Sequence, residues 1–222
     1  MKWLDNLERK YGRYSIRNLT MYIVGLNGAV FLLMLFNNSI VSKLMLIPSM
    51  VLRGEVWRLI TYILIPPSAS VLFIFFTLYF YYMVGTALEQ SWGSFRLNVY
   101  YLIGMLGTTI AAFITGAGTT GVYLNLSLFL AFAQLYPNFE ILVFFILPVK
   151  IKYLAWLNWV YIAYTVLIEP VHLKLAAIVS VINFFIFFWD DIIQWYKMKR
   201  MVYKNRKRFF DEVNKGKDRW RR

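Results

Sequence analysis

An all-α bundle of six membrane-crossing helices, with both termini cytoplasmic, is the fold this sequence predicts, and three observations predict it. The chain is 60% hydrophobic and only 16% charged, too little polar surface to cover a water-soluble fold of 222 residues. Six apolar runs, five of them uncharged and the sixth interrupted by Lys174 alone, approach the length that a bilayer core demands, about 20 residues for roughly 30 Å of hydrocarbon. The Lys and Arg residues fall almost entirely on one side of those runs, and basic residues are retained on the cytoplasmic face.

The six runs are Leu19 to Phe36, Val71 to Leu88, Leu97 to Ile114, Val122 to Leu135, Tyr153 to Ile168 and Val171 to Phe188. Five basic residues precede the first run and twelve follow the last; Arg96, Lys150 and Lys152 fall in connections on the same side. Lys43, Arg53 and Arg58 fall on the other, and Lys174 lies within the sixth run. An even number of crossings is the one that keeps both basic ends inside. Three regions follow: a cytoplasmic N-terminal segment 1–18, a membrane domain 19–188 and a basic cytoplasmic tail 189–222.

Residues 1–18 carry five basic residues and no apolar core of the kind a cleavable signal needs. Trp3, Leu4, Leu7, Tyr11 and Tyr14 recur there at helical spacing, which reads as a helix in the headgroup plane, with a frayed terminus as the alternative. The fourth run is short for a straight crossing, so its neighbours enclose it or it meets a water-filled recess. The connection from Asn37 to Ser70 is apolar and aromatic and is expected to fold against the membrane surface. Ile141 to Lys152 is broken by Pro148 and reads as an interfacial turn. In the third run Gly107, Ala111 and Thr115, beside Gly104, Thr108 and Ala112, form a small-residue face suited to close helix packing, which makes that helix central.

Several chemistries lack candidates. Cysteine is absent and there is one histidine, so no metal site and no cofactor are expected. Asp and Glu are missing from the interiors of the six runs, where a proton-coupled carrier would need them. Asn125, Asn158 and Asn183 are expected to join helices by hydrogen bonds. The charge of +13 lies in flanks and tail, not on an amphipathic domain face, so no nucleic acid is expected as a partner.

Three segments, in order, resemble the rhomboid and derlin superfamily. They are Gly54-Glu55-Val56-Trp57-Arg58-Leu59-Ile60-Thr61; Gly85-Thr86-Ala87-Leu88-Glu89 with Trp92-Gly93-Ser94-Phe95-Arg96; and Ala131 to Asn138 followed by Phe144 to Lys152. The resemblance marks Trp57, Arg58, Gly85, Glu89, Pro137 and Asn138 as structural motif residues and implies a rhomboid-like six-helix domain. Glu89 is expected to accept N–H bonds at a helix end, and Arg58 to fix its loop.

The resemblance also implies where a serine protease would keep its machinery, and the match fails there. The second-helix positions hold Phe73 and Thr77, and the entry to the fourth helix holds Gly118-Thr119-Thr120-Gly121 or, in another register, Val122. Ser127 and His172 are the remaining candidates for a catalytic pair. Ser127 is expected to bond a carbonyl one turn back. Lys174, Leu175 and Val179 stand where the family has glycines, which predicts a sixth helix held away from the fourth.

The expectation is therefore an inactive, derlin-like membrane protein that binds transmembrane or membrane-proximal segments of client proteins, in quality control or trafficking. One alternative is a divergent intramembrane serine endopeptidase using Ser127 and His172. Another is a structural or lipid-organising protein acting through its tail. There Lys197, Lys199, Arg200, Lys204, Arg206, Lys207 and Arg208, interleaved with aromatics, suit anionic headgroups. The lipid bilayer is a partner in every case.

Overall fold

The computed structural model describes residues 2–37, 39–67, 70–143 and 147–220. Among the described residues ten helices follow in chain order: α1 (Lys2–Tyr11), α2 (Leu19–Phe36), α3 (Ser39–Leu44), α4 (Pro48–Val51), α5 (Arg58–Thr61), α6 (Val71–Trp92), α7 (Ser94–Thr115), α8 (Val122–Leu135), α9 (Ile151–Ile168) and α10 (Val171–Trp220). Two short 3-10 turns, Gly12–Tyr14 and Tyr62–Leu64, complete the helical part. Strands β1 (Glu140–Val143) and β2 (Leu147–Lys150) form an antiparallel hairpin, with Glu140 opposite Lys150 and Ile141 opposite Val149.

Among the described residues five helices are long and apolar enough to cross a membrane: α2, α6, α7, α9 and the apolar part of α10. The sixth expected crossing, α8, has 14 residues and spans about 21 Å. Its limits are those the sequence predicts. So are those of α2, whereas α6, α7, α9 and α10 run past their apolar limits, because helix ends tolerate polar residues that an apolar criterion rejects. Thus α6 continues through Glu89, Gln90 and Ser91 to Trp92.

The chain divides into two compact units, Met1–Phe184 and Phe185–Arg222. In the first, 39% of the α7 span is buried against 22% of α6 and of α9, so α7 is more enclosed than α6 and α9, which present most of their surface outward. The small-residue face predicted for α7 is in use. Gly104 lies against Leu124 and Asn183, Gly107 against Val179, and Thr108, Ala111 and Ala112 are buried. Gly85 of α6 sits against the side chain of Thr20 on α2, closer than any Cβ could approach. The α6–α7 connection is a single residue, Gly93, at φ 83° and ψ 159°, a conformation that glycine alone adopts without strain.

Three expectations are corrected. The segment around Pro148, expected as an interfacial turn broken by the proline, is ordered as a hairpin. Pro148 stands on β2 opposite Leu142, and in a two-stranded ribbon every strand is an edge that can take a proline. Phe144, Phe145 and Ile146 lie outside the described residues. Second, α10 does reach α8, since the Ser127 hydroxyl meets the Ser180 carbonyl at 2.8 Å; the close approach is made by small residues on α7 and α8 where glycines on the sixth helix were expected to be needed. Third, Ser127 bonds across to α10 and not one turn back along its own helix.

Gly85→Val is expected to cost about 1–3 kcal/mol by forcing α2 and α6 apart. The check is thermal unfolding in detergent; Gly25→Val, with open space at its Cβ, is the comparison and should change the midpoint little.

Candidate functional site

The long connection between α2 and α6 is structured by one guanidinium. Arg58 opens α5 and is 5% exposed. Its Nε donates to Glu55 Oε2 at 2.7 Å, and its Nη1 donates to the carbonyls of Ser42 at 2.5 Å and Met45 at 2.7 Å. Thr61 donates to the Leu44 carbonyl at 3.0 Å, and Trp57 Nε1 to the Lys43 carbonyl at 3.3 Å. The planar fork of arginine suits this arrangement, with several acceptors in fixed directions and Glu55 balancing the charge. Both motif residues therefore fix the loop.

The same loop seals the entry to α8. Leu46 and Thr119 exchange both main-chain hydrogen bonds, at 3.1 and 2.9 Å. Gly118 lies against Met45 and Ile47, and Gly121 against the backbone of Ile63. Gly118 to Gly121, the segment where a protease of the resembling family would hold its nucleophile, is thus a wall against the loop. Tyr62 is fully buried and donates to the Met105 carbonyl at 3.2 Å. Burial pushes its phenol well above the ordinary value of 10.0, so Tyr62 is a neutral donor across the physiological range.

Ser127 faces the bundle centre. Its Oγ lies 2.8 Å from the Ser180 carbonyl, which can only accept, and 2.5 Å from the Tyr100 hydroxyl. Ser127 therefore donates to Ser180, and the Tyr100 proton is shared between Ser127 Oγ and the Ser127 main-chain carbonyl, 3.0 Å away. Asn183 Nδ2 stands 3.5 Å from the same oxygen and 3.4 Å from the Tyr100 carbonyl. Ser127 and Tyr100 are fully buried, and the chain of bonds ties α7, α8 and α10. Asn158 of α9 donates to the Leu126 carbonyl of α8 at 3.1 Å. Asn158 and Asn183 thus link helices, as expected.

The structure does not bring Ser127 and His172 together. Ser127 meets α10 at Ser180, eight residues beyond His172, about 12 Å along the helix axis. His172 lines a cavity of about 10 Å³ with Thr108, Thr115, Thr119 and Ala176. Thr77 donates to the carbonyl of Phe73 at 2.9 Å, a self-contained bond on α6.

At the end of the bundle where α1 lies, Glu89 accepts from the Asn18 amide at 2.8 Å and from Ser94 Oγ at 2.6 Å, stapling the α6–α7 turn to the start of α2. Arg96 pairs with Asp5 at 2.8 Å and Glu8 at 3.3 Å, holding α1 to α7. Asn98 bonds Ile16 in both directions, accepting from its amide at 3.0 Å and donating to its carbonyl at 2.8 Å. Sequence reasoning missed Asn98 and the partners of Arg96, which are more than 80 residues away along the chain; an amide side chain in the first turns of an apolar helix was the available signal.

Below the C-terminal end of α8, Leu130, Gln134, Pro137, Lys152, Trp156 and Trp159 line much of a recess of about 280 Å³ that also reaches Phe184. The Pro137 carbonyl accepts from the Lys152 amide at 3.1 Å, so this motif proline shapes the mouth; Asn138 is exposed beside it. In the second unit Lys197, Lys199, Arg200, Lys204, Arg206, Lys207 and Arg208 are all exposed on α10.

Apolar spans joined by buried hydrogen bonds and sealed by a structured loop define a multi-pass helical membrane protein. The chain belongs to the family described as eukaryotic integral membrane protein (DUF1751), whose model matches residues 17–190, over three quarters of its length. The match is to neither rhomboids nor derlins. No curated protein matches the sequence.

Arg58→Met is expected to destabilise by about 3 kcal/mol, because two loop carbonyls and Glu55 lose their partner. Arg58→Lys should recover little of that, since one ammonium cannot reproduce the fork. Thermal unfolding, with protease nicking between residues 37 and 70 as the local readout, checks both.

Proposed function

We propose that this protein is a catalytically inactive membrane protein that holds transmembrane or membrane-proximal segments of other proteins, with both of its termini cytoplasmic. The observation that carries the inactive reading is the state of Ser127. A nucleophilic serine needs a base to take its proton and a free lone pair aimed at substrate. Here the proton goes to a carbonyl that cannot act as a base at neutral pH, the tyrosine occupies the oxygen, and the group is fully buried. His172 is two turns of helix removed from this hydroxyl.

What supports segment binding is the recess beside Trp156 and Trp159. Its lining is largely apolar and includes the polar side chains of Gln134 and Lys152, a combination that suits a helix carrying a polar residue near the membrane surface. The resemblance of the three ordered segments to derlins agrees with that use and with a role in quality control or trafficking. The exposed basic residues of the tail favour a second, auxiliary contact with anionic headgroups, each worth about 1 kcal/mol near the surface.

Two measurements test this reading. A fluorophosphonate probe on purified protein should leave Ser127 unlabelled; labelling abolished by both Ser127→Ala and His172→Ala would reverse the assignment to a protease. A photocrosslinker at Trp156, with the protein reconstituted beside a model single-span peptide bearing one polar residue, should capture it several-fold better than one at Leu72, on the exposed side of α6. Equal capture at the two positions sinks the segment-binding half.

A further inference from the structure

Where the chain passes from α1 into α2, a groove of about 370 Å³ opens along α7. Tyr11, Ile16 and Leu19 form one wall, and Phe95, Leu102 and Met105 form the other. The groove is built, not incidental. The two Asn98 bonds hold Ile16 beside α7, and Glu89 fixes the Asn18 amide one residue before α2. From Phe95 to Met105 the wall rises ten residues, about 15 Å, which is half of a hydrocarbon core of roughly 30 Å. Its depth is that of one leaflet.

The mouth of the groove is basic. Lys10 lies over the ring of Tyr11 at 5.3 Å and Arg13 over that of Tyr14, both rings lining the groove, and Arg17 follows Ile16 of its wall; all three cations are exposed, and none pairs with a carboxylate among the described residues. The acids close by are already engaged. Asp5 and Glu8 face Arg96, and Glu89 faces the Asn18 amide and Ser94. Arg13 is further oriented by Tyr14, donating to its hydroxyl at 2.6 Å with the guanidinium 4.7 Å from the ring centre. Cations at the rim, tyrosines at headgroup depth and an apolar trough one leaflet deep match the order of parts in a phospholipid: phosphate, glycerol backbone, acyl chain.

We propose that this groove is a binding site for one anionic glycerophospholipid, its phosphate held by Lys10, Arg13 and Arg17 and an acyl chain laid between Leu19 and Leu102. An uncharged trough would take any acyl chain; the unpaired cations select for a net negative headgroup. The groove shares no lining residue with the recess beside Trp156 and none with the basic tail, so the proposal stands whether or not segment binding does.

The test is native mass spectrometry of the full chain released from micelles containing equal phosphatidylglycerol and phosphatidylcholine. Preferential retention of a single phosphatidylglycerol is expected. The triple variant Lys10→Gln, Arg13→Gln, Arg17→Gln should weaken retention about a hundred-fold, from roughly five-fold per charge. Leu102→Trp, which fills the trough without touching the rim, should also abolish it. Leu102 is 55% exposed and the three cations are exposed, so these variants leave the core intact, and unchanged unfolding midpoints verify that. The tail variant Lys197→Gln, Lys199→Gln, Arg200→Gln should retain the lipid. Equal retention of the two lipids, survival of binding in Leu102→Trp, or its loss in the tail variant would each overturn the proposal.

Discussion

Hydrocarbon offers no partner to an amide, a hydroxyl or a carbonyl, so every polar group that enters the bilayer must find one within the protein. That requirement shapes each departure from simple apolar rods in this chain. The α2–α6 connection turns repeatedly, and Arg58 collects the carbonyls of Ser42 and Met45. The one-residue α6–α7 turn brings Glu89 to the amide that starts α2. Ser127, Tyr100 and the Asn183 amide nitrogen, set on three helices, bond one another at the centre. Apolar contact between helices gains little over contact with lipid tails. The polar ties and the close approaches at Gly85, Gly104 and Gly107 are therefore what give the bundle one arrangement.

The same requirement explains what the sequence revealed. Run length and composition located α2 and α8 to the residue, because lipid demands an unbroken apolar stretch and both helices end where that stretch ends. They underestimated α6, α7 and α10, whose ends are polar. The hairpin around Pro148 was hidden because proline in an apolar run reads as a break, while a two-stranded ribbon tolerates it. The small-residue face of α7 was legible as a period of four. Its consequence for α10 was not, since Gly107 and the Val179 it admits, like Gly104 and Asn183, are far apart along the chain.

For the candidate site, residue type was legible and pairing was not. Ser127 and His172 stood out as the serine inside the fourth helix and the only histidine, and composition cannot tell whether such groups meet. What decided the matter was register. The turn of α10 opposite Ser127 carries Ser180 and Asn183, and those groups turn the hydroxyl into a structural bond. Arg58 shows the same limit: a loop-fixing role was legible from its residue type and place, while its partners, Glu55 three residues away and the carbonyls of Met45 and Ser42 13 and 16 residues back, were not.

The short α8 shows how far internal satisfaction reaches. A helix of about 21 Å in a core of roughly 30 Å leaves a mismatch that lipid must absorb by thinning if the helix faces it. Here it does not face it: Tyr123, Leu124, Ser127, Leu128 and Leu130 to Ala133 are buried. One end meets the loop through the Leu46–Thr119 bridge and Ile63, and at the other the Ile151 amide bonds the Phe139 carbonyl. Protein therefore fills the missing length at both ends, and the short crossing by itself gives the surrounding bilayer no cause to thin. Any distortion that eases entry of a polar segment would have to come from the surface beside Trp156, where indoles and a lysine meet the membrane, rather than from the helix at the centre.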